Sequence, residues 1–95
     1  MSNFNVCICG CRWFDDYDFF KEKCLFLLKN KIPNITIISG GASGADKLAE
    51  QFAKDYDFEL KIFNADWDRY GNSAGPRRNK EMVKIADGII AFWGW

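Results

Sequence analysis

Short apolar runs alternate with amphipathic helical stretches along the whole of this sequence, and that alternation restricts the fold more than any other feature. Phe4-Asn5-Val6-Cys7-Ile8-Cys9 is an apolar run ending at Gly10 and reads as a strand buried on both faces. Asp15 or Asp16 caps the helix that follows, where Phe20, Cys24, Leu27 and Leu28 recur at helical spacing up to about Lys31. Ile32-Pro33-Asn34 breaks that helix, and Ile35-Thr36-Ile37-Ile38 forms a second strand stopped by Gly40-Gly41. The clearest period comes next. Ala45, Leu48, Ala49, Phe52, Ala53 and Tyr56 define one face of a helix. Residues 59–63 alternate as a third strand, and 64–78 read as a long polar loop. A short helix from Arg78 to Ala86, with Met82, Ile85 and Ala86 inward, precedes a fourth strand over 88–93.

Strands alternating with helices of this length demand a parallel sheet with right-handed crossovers. The expected fold class is α/β, a three-layer Rossmann-like parallel sheet of four strands in the order 3-2-1-4. The first two helices would then share one face and the third would cover the other. The topological switch point falls between strands one and four, and ligands of such sheets bind outside the carboxyl ends of the strands. The segments there are Gly10 to Phe14, Gly40 to Asp46, and Trp93 to Trp95, with the loop after strand three on the same side.

The 95 residues are expected to form a single domain over 1–95, and a 48% hydrophobic content rules out disorder. No stretch is long and apolar enough for a membrane helix, so no membrane partner is expected. The start of the chain has no secretory signal, and the expected location is the cytoplasm. Net charge is zero, which weighs against binding nucleic acid through a basic face. Basic residues nevertheless gather at Arg69, Arg77, Arg78, Lys80 and Lys84. Cys7, Cys9, Cys11 and Cys24 lack metal-site spacing and the chain has no histidine, so neither a metal nor a cofactor is expected. They read as small apolar residues of a reducing compartment.

Three segments carry candidate chemistry. Gly40-Gly41-Ala42-Ser43-Gly44-Ala45-Asp46 joins a strand to the best helix in the chain. Its small residues permit close backbone approach, and the helix start offers amides to an anion. A tight turn without a ligand is the alternative. Substitution of Gly44 by Val is expected to weaken ligand binding more than folding. Arg12, after strand one, suits a phosphate or carboxylate, or else pairs with Asp15 or Asp16. In the loop 64–78, Trp67 and Tyr70 suit stacking on a base, and Arg77 and Arg78 stand where a helix begins, a place that favours anions. A lid packed by its own aromatic residues is the alternative there. Arg12 and Arg78 would grip one anionic group from opposite walls of the crevice.

These residues also carry a resemblance. Gly10-Cys11-Arg12 with Phe14, Ile38 through Asp46, Ala65-Asp66-Trp67, Ala74-Gly75-Pro76, Arg78-Asn79 with Met82, and Ala91-Phe92-Trp93 together resemble the SLOG superfamily of Rossmann-like domains. That superfamily includes the DNA-processing protein Smf/DprA and the LOG phosphoribohydrolases, and the best match is its small YspA/YpsA-related branch. The resemblance implies a nucleotide-derived small molecule as ligand. It places the pocket at Gly10, Arg12, Gly40, Gly41, Ser43, Gly44, Asp46, Asp66, Arg78 and Asn79. Family members continue past the last strand with a Gly-Thr turn and a helix, and in LOG-like enzymes this part supplies a catalytic glutamate. It is missing from the 95 residues, so the expected activity is binding, as a sensor or a sequestering protein, without catalysis. Hydrolysis of nucleotide N-glycosidic bonds and single-stranded DNA binding are the alternatives. Phe92, Trp93 and Trp95, with Leu25 and Phe26 beyond the first helix's core stripe, predict a homo-oligomer, most simply a dimer, that uses the first helix or the strand-four side.

Overall fold

The protein is described by a computed structural model covering residues 3–92. Four strands, β1 (Phe4–Gly10), β2 (Ile35–Ser39), β3 (Glu59–Ile62) and β4 (Gly88–Phe92), form one sheet in the order β3-β2-β1-β4. Every neighbouring pair is parallel. Four helices, α1 (Tyr17–Leu28), α2 (Ala45–Asp55), α3 (Trp67–Tyr70) and α4 (Ala74–Ile85), occupy the connections. The architecture is the Rossmann-like α/β arrangement that the alternating pattern predicts.

The two faces of the sheet are unequally filled. Val6, Ile8, Ile35 and Ile37 point to one face, where Phe20, Cys24 and Leu28 of α1 meet Ala45, Ala49, Phe52 and Ala53 of α2. Phe20 stacks on Phe92 of β4 with ring centroids 4.5 Å apart, and its edge meets Phe52 at 6.0 Å. Burial on this scale, roughly 1.5–3 kcal/mol per large side chain, makes this face the source of most of the stability. The opposite face holds a smaller cluster of Cys7, Ile38 and Met82, covered by α4.

Local chemistry explains the ends of α1. The Asp16 side chain accepts a hydrogen bond from the Phe19 amide at 3.1 Å and so caps the helix. Leu27 departs from the expected inward stripe. It is exposed, because Phe20, Cys24 and Leu28 already define the buried face.

The largest departure is at 64–78. Most of this segment is helical: α3 is followed by a 3-10 turn at Gly71–Ser73 and directly by α4, which begins at Ala74 and not at Arg78. Ala74-Gly75-Pro76 resembles a helix breaker, yet Pro76 is the third helical residue, where an amide has no intrahelical partner to lose. Gly75 lies beneath the Trp67 indole, which is 3.2 Å from where a Cβ would be, so a glycine fits and a larger residue crowds it. Arg77 and Arg78 therefore stand one turn inside α4, not at its start.

Candidate functional site

The loop between β2 and α2 is held by two polar side chains at its ends. The buried Ser39 hydroxyl donates to the Asp46 carbonyl oxygen at 3.1 Å and accepts from the Gly41 amide at 3.2 Å. The Asp46 carboxylate in turn accepts from the Ala42 amide at 3.2 Å. Gly44, at the helix N-cap, has φ +72°, and a Cβ there would lie 2.3 Å from the Cys11 carbonyl oxygen. Gly41 shares that left-handed conformation and faces Asn64. Gly40 is buried between Asp46 Oδ2 and Arg78 Nη1, each 2.9 Å from where its Cβ would be. Three glycines thus let this backbone touch the β1 loop, the β3 loop and α4 at once.

This packing corrects one expectation. A side chain at residue 44 meets backbone atoms of Cys11 and Arg12, not the end of a flexible side chain. Substitution of Gly44 damages the fold directly and does not separate ligand binding from folding.

Ala45 N–H reaches the Cys11 carbonyl at 3.4 Å, which docks the start of α2 on the β1 loop. Gly44 provides no side-chain cap. Among the described residues, the amides of Ser43, Gly44 and Asp46 find no hydrogen-bond partner. They begin an 11-residue helix whose dipole points its positive end toward the carboxyl edge of the sheet. Chemically, this is a cluster of donors suited to an anionic group.

The β1 loop supplies the adjoining wall. Gly10, with φ +153°, approaches β4 so closely that a Cβ would lie 2.0 Å from the Phe92 carbonyl oxygen. The Cys11 amide donates to that same oxygen at 2.8 Å. Arg12 is exposed, with its guanidinium 5.7 Å from the ring of Trp13, itself 78% exposed. Among the described residues Arg12 forms no ion pair with Asp15 or Asp16. Trp93 to Trp95, the third segment expected at this crevice, lie outside the described residues.

The remaining candidates belong to α3 and α4. Asp66 caps α3 by accepting the Arg69 amide at 3.2 Å, and Trp67 covers Gly75. Arg77 donates from Nε to Ser73 Oγ at 3.2 Å and lies 4.2 Å from the Tyr70 ring centroid. Arg78 donates from Nη1 to the Gly40 carbonyl oxygen and from Nε to Asn79 Oδ1 at 2.9 Å. A second carbonyl, that of Phe63, is 3.5 Å from the same Nη1. Arg78 thereby fastens α4 to the carboxyl ends of β2 and β3. An open cleft of about 1010 Å³ runs beside α4, lined among others by Asn64, Asp66, Arg77, Arg78, Lys80 and Lys84.

The twelve predicted residues therefore divide into two groups. Gly10, Arg12, Gly40, Gly41, Ser43, Gly44 and Asp46 gather at the carboxyl edge of β1 and β2. Asp66, Trp67, Arg77 and Asn79 belong to the α3–α4 side, and Arg78 joins the two. Ser39 and Asn64 are residues that the pattern of glycines and charges does not single out. A hydroxyl at the carboxyl end of a mostly apolar strand, directly before the glycines, is the available signal for Ser39.

The thiols divide in the same way. Cys9, half-buried two residues from Cys7 on β1, is lowered from 9.0 to about 7 by a hydrogen bond from the Cys7 thiol, against the opposing effect of burial. Cys7 is pushed up by that same bond and by burial. Cys24, deep under α1, is pushed up to about 12 by burial.

Comparison with known proteins bears on the same segments. The family described as "YspA, cpYpsA-related SLOG family" matches residues 4–70, which include the β1 loop and the whole of the glycine loop. A curated relative, "Gene 61 protein" of Mycobacterium phage D29, is 36% identical over 64 residues, covering 61% of this chain and 51% of the relative. The chain thus spans about half the length of the curated relative it matches. No solved structure matches.

Proposed function

The chain belongs to the YspA, cpYpsA-related SLOG family, and from that premise we propose that it binds a nucleotide-derived small molecule at the carboxyl edge of β1 and β2. Family membership fits nucleotide-related binding in general. The observation that carries the finer reading is the trio of amides at Ser43, Gly44 and Asp46 that have no partner among the described residues, on a loop that packs at Gly44 against the backbone of Cys11 and the exposed Arg12. Amides at a helix start and an exposed guanidinium are the two donor types that suit a phosphate. In this reading Ser39, Asp46 and Arg78 keep the loop in shape, while Arg12 and the amides meet the ligand. Among the described residues Arg78 Nη2 has no hydrogen-bond partner, which fits a shared grip on the anion with Arg12. The function is binding, for sensing or sequestering, with no bond broken.

A thermal-shift series with nucleoside mono- and diphosphates, cyclic nucleotides and ADP-ribose derivatives tests the proposal. A ligand at 100 times its Kd stabilises by about 2.7 kcal/mol, a shift of several degrees in a domain of this size. Arg12→Ala is expected to lower affinity about 10- to 100-fold without lowering the Tm of the free protein. Released base in the incubation would favour N-glycoside hydrolysis instead. Salt-sensitive retention of single-stranded DNA would favour nucleic-acid binding. No response to any nucleotide would contradict the proposal.

A further inference from the structure

Trp67 and Tyr70, the aromatic residues that the sequence offers for stacking on a base, are both engaged by the fold. Trp67 lies over Gly75, and Tyr70 has the guanidinium of Arg77 4.2 Å and that of Arg69 5.1 Å from its ring centroid. Trp13 is placed differently. At 78% it is the most exposed large hydrophobic side chain among the described residues, so its ring adds little to the core.

The backbone that carries this ring is closely held. Residues 11–14 form a turn closed by the Phe14 amide on the Cys11 carbonyl oxygen at 3.2 Å. The Cys11 amide is bonded to Phe92 of β4, and the Phe14 ring packs on the Phe92 ring with centroids 5.2 Å apart. The Cys11 carbonyl oxygen also meets the Ala45 amide of α2 at 3.4 Å. Both ends of the turn are thus fixed, while its two central residues, Arg12 and Trp13, are exposed. The turn presents a cation and an indole side by side, with the guanidinium 5.7 Å from the ring. It does so at the glycine loop: the Arg12 Cα lies 2.6 Å from where a Cβ of Gly44 would be. The Trp13 Cα is one peptide, about 3.8 Å, further on.

Resting on the reading of the loop amides and Arg12 as a phosphate site, we propose that Trp13 is the platform on which the base of the ligand stacks. The ligand is then a nucleotide that keeps its base, not a base-free sugar phosphate. A phosphate held at the amides and Arg12 leaves the rest of the ligand beside the indole, because the guanidinium and the ring are neighbours. Stacking removes from water an aromatic surface that the free protein leaves exposed, and every base has a π face to offer. The same ring does not serve the fold, so its contribution to binding is separable from stability. Trp67 and Tyr70, by contrast, would have to give up Gly75 or the arginines to take a base.

The experiment is an NMR titration of the full chain, up to millimolar ligand, with adenosine monophosphate and with ribose 5-phosphate, for the parent and for Trp13→Ala. The parent is expected to bind the nucleotide about 5- to 150-fold more tightly than the sugar phosphate. Trp13→Ala is expected to remove that advantage, weakening the nucleotide about 5- to 150-fold while the sugar phosphate and the Tm of the free protein stay as they were. A nucleotide affinity that Trp13→Ala leaves unchanged overturns the proposal, and a loss that falls on Trp67→Ala instead would place the base over α3. A loss shared equally by ribose 5-phosphate also overturns it, since the indole would then act only by holding Arg12. In these three cases the phosphate site still stands. If neither compound binds the parent, the phosphate site itself fails and the stacking platform falls with it.

Discussion

The glycine loop at 40–46 and the α3–α4 segment at 63–84 both present candidate residues, yet they are held in opposite ways. In the first, constraint comes from backbone: glycines at special φ, amides with assigned partners, and atoms of two other loops within touching distance. In the second it comes from side chains: Trp67 over Gly75, Arg77 over Tyr70, Arg78 onto carbonyls. The second lines the open cleft of about 1010 Å³ and has the greater positive charge, from Arg77, Arg78, Lys80 and Lys84. The first has the unpartnered donors. A large basic cleft whose arginines already serve the fold is a weaker candidate than a small edge whose amides do not.

The contrast can be tested at matched positions. Gly44 and Gly71 both have positive φ, +72° and +55°, but a Cβ at Gly71 meets nothing within 4 Å. Gly44→Ala combines left-handed strain with a backbone clash and is expected to cost roughly 3 kcal/mol or more. Gly71→Ala carries only the backbone strain, about 1–3 kcal/mol. Urea denaturation of the pair measures the difference, and equal losses would mean that the loop packing contributes little. Next in size, Arg78→Ala is expected to destabilise by about 1.5–3 kcal/mol, since two backbone carbonyls lose a charged donor. Arg77→Ala, which loses an exposed stacking contact with Tyr70 and an exposed hydrogen bond to Ser73, is expected to cost roughly 0.5–1 kcal/mol. Comparable values for the two would remove the assignment of Arg78 as the fastening between α4 and the sheet.

A smaller effect separates the two faces of the sheet. Cys9 is expected to alkylate with iodoacetamide along a pH profile centred at about 7, and Cys9→Ser should remove that phase. Cys24, pushed up to about 12 under α1, should stay unreactive until the protein unfolds. Because folding lowers the Cys9 value from 9.0, its contribution to stability is complete above pH 9 and is lost as pH falls through 7. A profile centred near 9 would contradict the thiol pairing on β1.

Strand order and the buried stripe of α2 were legible in the sequence because period and chain reversal are properties of local pattern. Ala45, Ala49, Phe52 and Ala53 recur at helical spacing and are all buried. The Asp16 cap was legible for the same reason, since a capping side chain acts within three residues. The segment 64–78 was not. Ala74-Gly75-Pro76 resembles a break until Trp67 is seen to lie on Gly75, and that packing is tertiary. The engagement of Arg78 with the Gly40 carbonyl, 38 residues away in sequence, leaves no local trace. For the candidate site, the glycines and Arg12 announced a close backbone approach beside a cation. Which amides remain unpartnered depends on Ser39 and Asp46 taking the others, and only the folded loop decides that.

The most direct test is an amide NMR titration with whichever nucleotide raises the Tm most. The account predicts that the largest shifts fall on the amides of Ser43, Gly44 and Asp46, and that Arg12→Ala moves the titration midpoint upward about 10- to 100-fold. Shifts confined to the α4 cleft around Arg77, Lys80 and Lys84, with a midpoint that Arg12→Ala leaves unchanged, would contradict it.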